Sequence, residues 1–191
     1  MKTRLPVKTR FSAELISRPA IKSIIPIGSW WTFEQWRQGK LIDQWAQKNV
    51  NTTEGLNYLL NVMFFDETPI ASTDWFMGLF ENDYTPLITN TYAVPGFTES
   101  EAYDELTRIA YVPAEATARV TTNTASKATF TISATKTIYG AFLCGGGTAA
   151  DTKSDVAGGG VLFASSQFAA PKAVVDNDVL MVSCAITLAD V

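Results

Sequence analysis

The alternation of apolar and polar residues is the strongest pattern in this chain. From residue 29 the run SWWTFEQW, the turn RQGK and the run LIDQWAQ predict two short strands joined at Gly39. A period of two puts Trp31, Phe33 and Gln35 on one side and Trp30, Thr32, Glu34 and Trp36 on the other. Neither side is cleanly polar, so another layer or a partner is expected to cover each. From about Thr117 the pattern is β throughout. In ATFTISA, Ala128, Phe130 and Ile132 alternate with Thr129, Thr131 and Ser133; TIYGAFLC, VLFASSQFAAP and VLMVSCAITL follow. In the last of these, Leu180, Val182, Cys184, Ile186 and Leu188 share one face. TDWFMGLFEN supplies a further apolar strand, and NDYTP with TNTYAVPGF predicts a long excursion as far as Phe97.

Two segments carry helical signals instead. NTTEGLNYLLNVMFF predicts one well-defined helix over about 52–64, with Asn51 as N-cap and Glu54 three residues on completing a capping box. Leu56, Leu59, Leu60 and Met63 recur at spacings of three and four, a stripe expected to pack on a sheet. Thr98 followed by Glu99, Ser100 and Glu101 predicts a short second helix over about 99–107. Pro113 bars a central strand just beyond it. Strands at short spacing, joined by turns and not by crossover helices, predict a mainly β, antiparallel sandwich or jelly-roll-like fold. The expected organisation is a basic, extended N-terminal arm over residues 1–28 and one β-sandwich domain over 29–191.

Composition supports an ordered chain. Of its 191 residues 47% are apolar, 12% aromatic and 18% charged, enough for one domain with a real core. No apolar run reaches the roughly 20 residues that span a bilayer, and the first residues lack a signal-peptide core, so a soluble protein made in a cytoplasm is expected, with no membrane partner.

The net charge of −4 hides an asymmetry. Residues 1–22 hold Lys2, Arg4, Lys8, Arg10, Arg18 and Lys22 against Glu14 alone, a surplus of five positive charges; the remainder is −9. A basic arm on an acidic body suits an acidic protein surface or nucleic acid, or is simply a solvated terminus. The acidic body repels a duplex wherever the arm does not reach, which disfavours nucleic acid as a partner.

Candidate chemistry is sparse. The chain has no histidine, which removes Ser-His-Asp and Cys-His nucleophiles, histidine-ligated zinc and the usual near-neutral proton shuttle. Glu99, Glu101, Asp104 and Glu105 form an acidic cluster, but on a helix Glu101 and Glu105 would repel one another, so a solvated face is expected. DTKSDVAGGG approaches a calcium loop without its closing Glu. The segment GGGTAADTKSDVAGGG has glycine triplets at both ends, but lacks a GK[ST] ending and is followed by a strand. A phosphate cradle needs a helix there, so a mobile hairpin loop is expected. Cys144 and Cys184 are expected as buried free thiols. No catalytic, cofactor or metal residues are predicted.

Several stretches resemble a group of tailed-bacteriophage structural proteins: GKLIDQW, NVNTTEGLNYLLNVMF, DWFMGLFENDYTP, ASKATFTISATKTIYGAFLCGG, and VLFASSQFAAPKAVVDNDVLMVSCAITL. The resemblance spans roughly residues 30–188. It includes an N-x-x-T-N-x-G-L helix start, here NVNTTEGL with Thr53 in place of the second Asn, a W-x-x-G-L strand and a G-A-F-L turn. The basic arm is longer than this pattern carries. The resemblance implies a non-enzymatic virion protein located in the particle, either a capsid decoration (cement) protein or a tail, neck or fibre adaptor or receptor-binding protein. It further implies homo-oligomers, the major capsid protein or other virion proteins as partners, and no cofactor. The residues expected at such an interface are the six bases of the arm with Trp30, Trp31, Trp36 and Trp45.

Overall fold

The computed structural model describes residues 27–188. The described residues form two antiparallel sheets with one α-helix, in a sandwich-like arrangement. The elements in order are β1 (Ile27–Arg37), β2 (Lys40–Lys48), β3 (Val50–Asn51), α1 (Thr53–Phe64), β4 (Trp75–Phe80), β5 (Glu99–Ser100), β6 (Ile109–Ala110), β7 (Val120–Thr122), β8 (Ala128–Thr131), β9 (Lys136–Gly145), β10 (Val161–Val174) and β11 (Val179–Leu188). A short 3-10 turn, Thr124–Ser126, precedes β8.

The first sheet runs β2-β1-β11, and the far side of β11 pairs with both β7 and β8. The second runs β3-β10-β9-β4, with β5 and β6 both pairing β4. β1 and β2 meet through the two-residue turn Gln38–Gly39, at φ 49° and 72°. Positive φ at both positions matches the right-handed twist of the flanking strands, and glycine takes the second without a Cβ penalty. After β2 the chain crosses to the other sheet as β3, which pairs with β10 at Ala164 and Ser165. Ile27 and Gly28, assigned by sequence to the arm, already pair with Leu188 and Thr187.

The main core lies between the sheets. Trp31, Phe33, Phe130, Leu180 and Val182 from the first meet Met77, Leu79, Leu143 and Phe168 from the second. Here the period-two reading holds strand by strand: Ala128, Phe130 and Ile132 are buried, as are Leu180, Val182 and Cys184, while Leu188 at the strand end is exposed. A second cluster occupies the other face of β4 and β9, where Phe80, Phe142, Cys144 and Leu162 are covered by Tyr92 and Phe97 of the excursion between β4 and β5. Both faces of the second sheet are thus covered, which accounts for the near-continuous apolar runs WFMGLF and GAFLC. Both cysteines are buried free thiols, one in each cluster.

Four sequence expectations need correction. The N-cap of α1 is Thr52, whose hydroxyl accepts from the Gly55 amide at 3.0 Å, in place of Asn51. Glu54 does not reach back; its carboxylate accepts from the amides of Tyr92 (2.8 Å) and Leu162 (2.7 Å), tying the helix to the excursion and to β10. The apolar stripe of α1 is not core. Gly55 alone is buried in the helix, seated on the backbone of Phe163 where β10 bulges.

The expected helix over 99–107 does not form. Glu99 and Ser100 pair with β4, the Asp104 amide donates to the Thr131 carbonyl at 2.8 Å, and Glu105 accepts from the Thr131 amide at 3.1 Å. Neighbouring strands satisfy this backbone, and the acids that suggested a helical first turn are engaged elsewhere.

Candidate functional site

Two places could carry function: a buried ionic cluster under the glycine-bounded loop, and an apolar surface beside the first described residues.

The ionic cluster centres on Arg108, which is 3% exposed. Its Nε donates to Glu99 at 2.9 Å and its Nη2 at 2.6 Å, a two-pronged pair with a carboxylate also removed from solvent. Nη1 donates to the Tyr92 hydroxyl (3.1 Å) and the Ala150 carbonyl (3.0 Å), and Nη2 also donates to the Asp155 carbonyl (2.9 Å). Burial lowers the affinity of this guanidinium for its proton, but Glu99 and its neighbours outweigh burial and hold the group charged. A cavity of about 270 Å³ adjoins it, walled by Phe97, Phe142, Leu162 and Val156.

Every N–H of Arg108 has an acceptor within the fold, so none is left to bind an anion in that cavity. Burial pushes the Cys144 thiol up to about 12, so it stays a neutral thiol and not a nucleophile at ordinary pH. What the cluster does is mechanical. Arg108 takes two carbonyls of residues 145–160, Tyr92 donates to Asp155 at 2.8 Å, and Asp155 accepts from the Gly158 amide at 3.0 Å. The loop expected to be mobile is pinned at its middle. The anionic partner of Arg108, 9 residues away in sequence, gave no local signal, because β5 and the segment before β6 meet only through β4.

The acidic cluster suspected from sequence is dispersed in the same way. Glu99 binds Arg108, Glu101 accepts from the Ser154 hydroxyl, and Glu105 serves the Thr131 amide. Among the described residues, no group of three or more acidic or cysteine side chains is placed to hold a metal ion. Among those same residues, no helix is long and apolar enough to cross a membrane.

The predicted interface tryptophans separate sharply. Trp31 is fully buried in the core, because its face of β1 is the one turned toward β10 and β9, so it offers nothing to a partner of the folded chain. Trp45 is half-buried against Phe33 and Phe168, with ring centroids 5.2 and 5.1 Å away and the Lys172 ammonium over its face at 4.3 Å. Trp36 is half-buried and donates from its indole to Glu34 at 3.1 Å. Only Trp30 presents much surface, 46% exposed. Lys2, Arg4, Lys8, Arg10, Arg18 and Lys22 lie outside the described residues.

The apolar surface was missed as a surface. Along α1, Leu60 is 52% exposed, Met63 62% and Phe64 78%, and Phe65 just past its end is 78% exposed too. Periodicity marks an apolar stripe but not what covers it: Leu56 and Leu59 are half-buried, and no described element covers Leu60 or Met63. The stripe continues through Leu56 into a cavity of about 560 Å³, lined also by Ile27, Trp30, Asn51 and Ile88. Asn51 fixes the entry to β1 there: its amide donates to the Ile27 carbonyl at 2.8 Å, and its side-chain oxygen accepts from Ser29 at 2.6 Å. An uncovered stripe of this kind binds by excluding water, and it contains no group suited to bond chemistry.

Comparison of the chain with protein-family models, with curated proteins and with solved structures returns no match.

Proposed function

We propose that this chain is a non-enzymatic structural protein of a tailed-bacteriophage particle, a capsid decoration protein that binds and stabilises the assembled head shell. One observation carries the reading. Trp30 stands exposed at a cavity shared with Ile27 and Leu56, where a strongly basic segment joins an acidic body, and Leu60, Met63 and Phe64 of α1, with Phe65 just past its end, are exposed as well. Exposed large apolar side chains in this number suit a surface that a partner binds. Large aromatic anchors with a charged extension suit a partner presented many times over, such as the major capsid protein, and self-association at a symmetry axis. The resemblance of NVNTTEGL, W-x-x-G-L and YGAFL to phage structural motifs agrees with this, as motifs of packing more than of place.

The test is stoichiometry. Quantitative mass spectrometry of purified particles is expected to find this chain in hundreds of copies, in fixed ratio to the shell protein. A dozen copies or fewer would overturn the decoration reading in favour of the tail, neck or fibre. In an add-back assay on shells lacking it, the Phe64→Asp variant is expected to bind at least tenfold more weakly than the unaltered chain.

A further inference from the structure

We infer that the cavity beside Arg108 is a binding site for a small organic cation, a molecule with one aromatic or branched apolar body and one ammonium group. The site goes beyond the decoration reading and does not depend on it. Its volume is about 270 Å³, whereas close-packed interiors leave few spaces larger than a water molecule. Apolar cavities of about 150 Å³ already take up benzene, so this one has room for a single ring with a short chain.

The walls set the body of the ligand. Phe142 of β9, Leu162 of β10 and Phe97 of the excursion are all buried there, and they offer ring and branched aliphatic surface. Val156, Ser154 and Thr98 are exposed and mark the side open to solvent. An apolar body gains by leaving water against the first group, and a charged end stays wet beside the second.

The polar groups set the charge of that end. The buried donors are all engaged: Arg108 gives its N–H groups to Glu99, Tyr92 and the carbonyls of Ala150 and Asp155, and the Tyr92 hydroxyl donates to Asp155. Acceptors are in excess. Asp155 lines the cavity, and both the Tyr92 hydroxyl and the Gly158 amide donate to one of its oxygens, Oδ2, so the carboxylate keeps unused lone pairs. Its charge is also unbalanced. Arg108 is neutralised by Glu99 and meets only the backbone carbonyl of Asp155, and among the described residues Asp155 forms no ion pair. The hydrogen bond from Tyr92 holds this carboxyl below its ordinary range, so it is ionised at neutral pH. Glu99 and Asp155 against Arg108 leave one negative charge at the cavity, which attracts an ammonium and repels a carboxylate. A ligand seated there would touch the excursion on one side and the β9–β10 loop on the other.

The test titrates the full chain with 2-phenylethylammonium and follows the backbone amides by NMR. Saturable shifts are expected at residues 96–98 and 154–158, with a Kd of about 1 mM or tighter. The anion 3-phenylpropionate, with the same ring and the opposite charge, is expected to bind at least tenfold more weakly. Asp155→Asn keeps an acceptor for Tyr92; it is expected to weaken the ammonium at least fivefold and to leave binding of the neutral 2-phenylethanol unchanged. Val156→Trp, at an exposed position, is expected to weaken both at least tenfold by filling the mouth. No saturable shift at these residues, shifts confined to α1, or equal binding of 3-phenylpropionate would overturn the inference. Undiminished ammonium binding in a folded Asp155→Asn or Val156→Trp chain would overturn it too. Should either variant unfold, the comparison of the ammonium with the carboxylate on the unaltered chain decides.

Discussion

Neutralising one member of the Arg108–Glu99 pair tests whether this cluster holds the outer layer in place. Arg108→Met leaves the Glu99 carboxylate, 6% exposed, without a counter-charge, and frees the Tyr92 hydroxyl and the carbonyls of Ala150 and Asp155. Glu99→Gln leaves the guanidinium in the same position. Breaking a buried pair from one side costs about 3–5 kcal/mol, because the orphaned charge remains in the interior. For a chain of this size that lowers the unfolding temperature by roughly 6–20 °C. The double variant removes both charges, so it is expected to cost less than the sum of the singles by about 2 kcal/mol. Urea unfolding followed by tryptophan fluorescence supplies all four corners of the cycle. Hydrogen exchange of residues 146–159 separates local from global loss, since Arg108→Met frees the loop and its amides exchange faster well below the unfolding transition. Additive singles, or a loop whose exchange does not change, would refute the assignment of Arg108 as its pin.

Three further outcomes follow from the packing and the ionisation of named groups. Gly55→Ala would ordinarily gain about 1 kcal/mol in a helix. Here the added Cβ would lie 2.6 Å from the Phe163 Cα and 2.8 Å from its carbonyl oxygen, so a net loss of about 1–2 kcal/mol is expected in denaturant titration. Trp45→Phe is expected to cost under about 1 kcal/mol, because the Trp45 indole N–H is buried without a partner, whereas Trp45→Ala should cost about 3 kcal/mol or more. With pH, Asp178 is held below its ordinary range by Arg37, Asp43 by Lys172, Glu34 by Lys127 and Asp155 by the Tyr92 hydroxyl. Folded carboxylates that titrate below unfolded ones add stability above about pH 4, and it is lost as pH falls through their folded values. The Cys144 thiol acts in the opposite sense. It ionises near about 8.5 when unfolded and near about 12 when folded, so stability declines as pH rises between them. Thermal melts across pH 3–11 are expected to show a plateau between about 5 and 8.

Much of the fold can be read from period two alone, because a strand with one face in a core must alternate. That reading captures β1, β8 and β11, whose inner residues are the buried ones. It says less about β4 and β9, where both faces are covered and the alternation disappears. Residues 99–107 misled for a different reason: an N-cap signal and clustered acids describe a helix start only if those acids are free, and Glu99 and Glu105 are engaged across the fold. The stripe of α1 shows the same limit from the other side, since spacing identifies a face but not its cover. The Arg108 cluster was not legible at all. Its members come from the excursion, β5, the approach to β6 and the β9–β10 loop, and only the completed sheet brings them together.

The place of β11 has a consequence in time. This strand lies in the middle of the first sheet, between β1 on one side and β7 with β8 on the other, yet its residues are 179–188 of the chain. On a ribosome, β1 and β2 can form a hairpin early, but their sheet lacks its central strand until every other described strand has been made. Folding of that layer is therefore dominated by contacts distant in sequence, which makes it slow compared with a helical protein of equal length. Until β11 arrives, the inner faces of Trp31 and Phe33 are exposed, and during that interval the nascent chain is most exposed to aggregation.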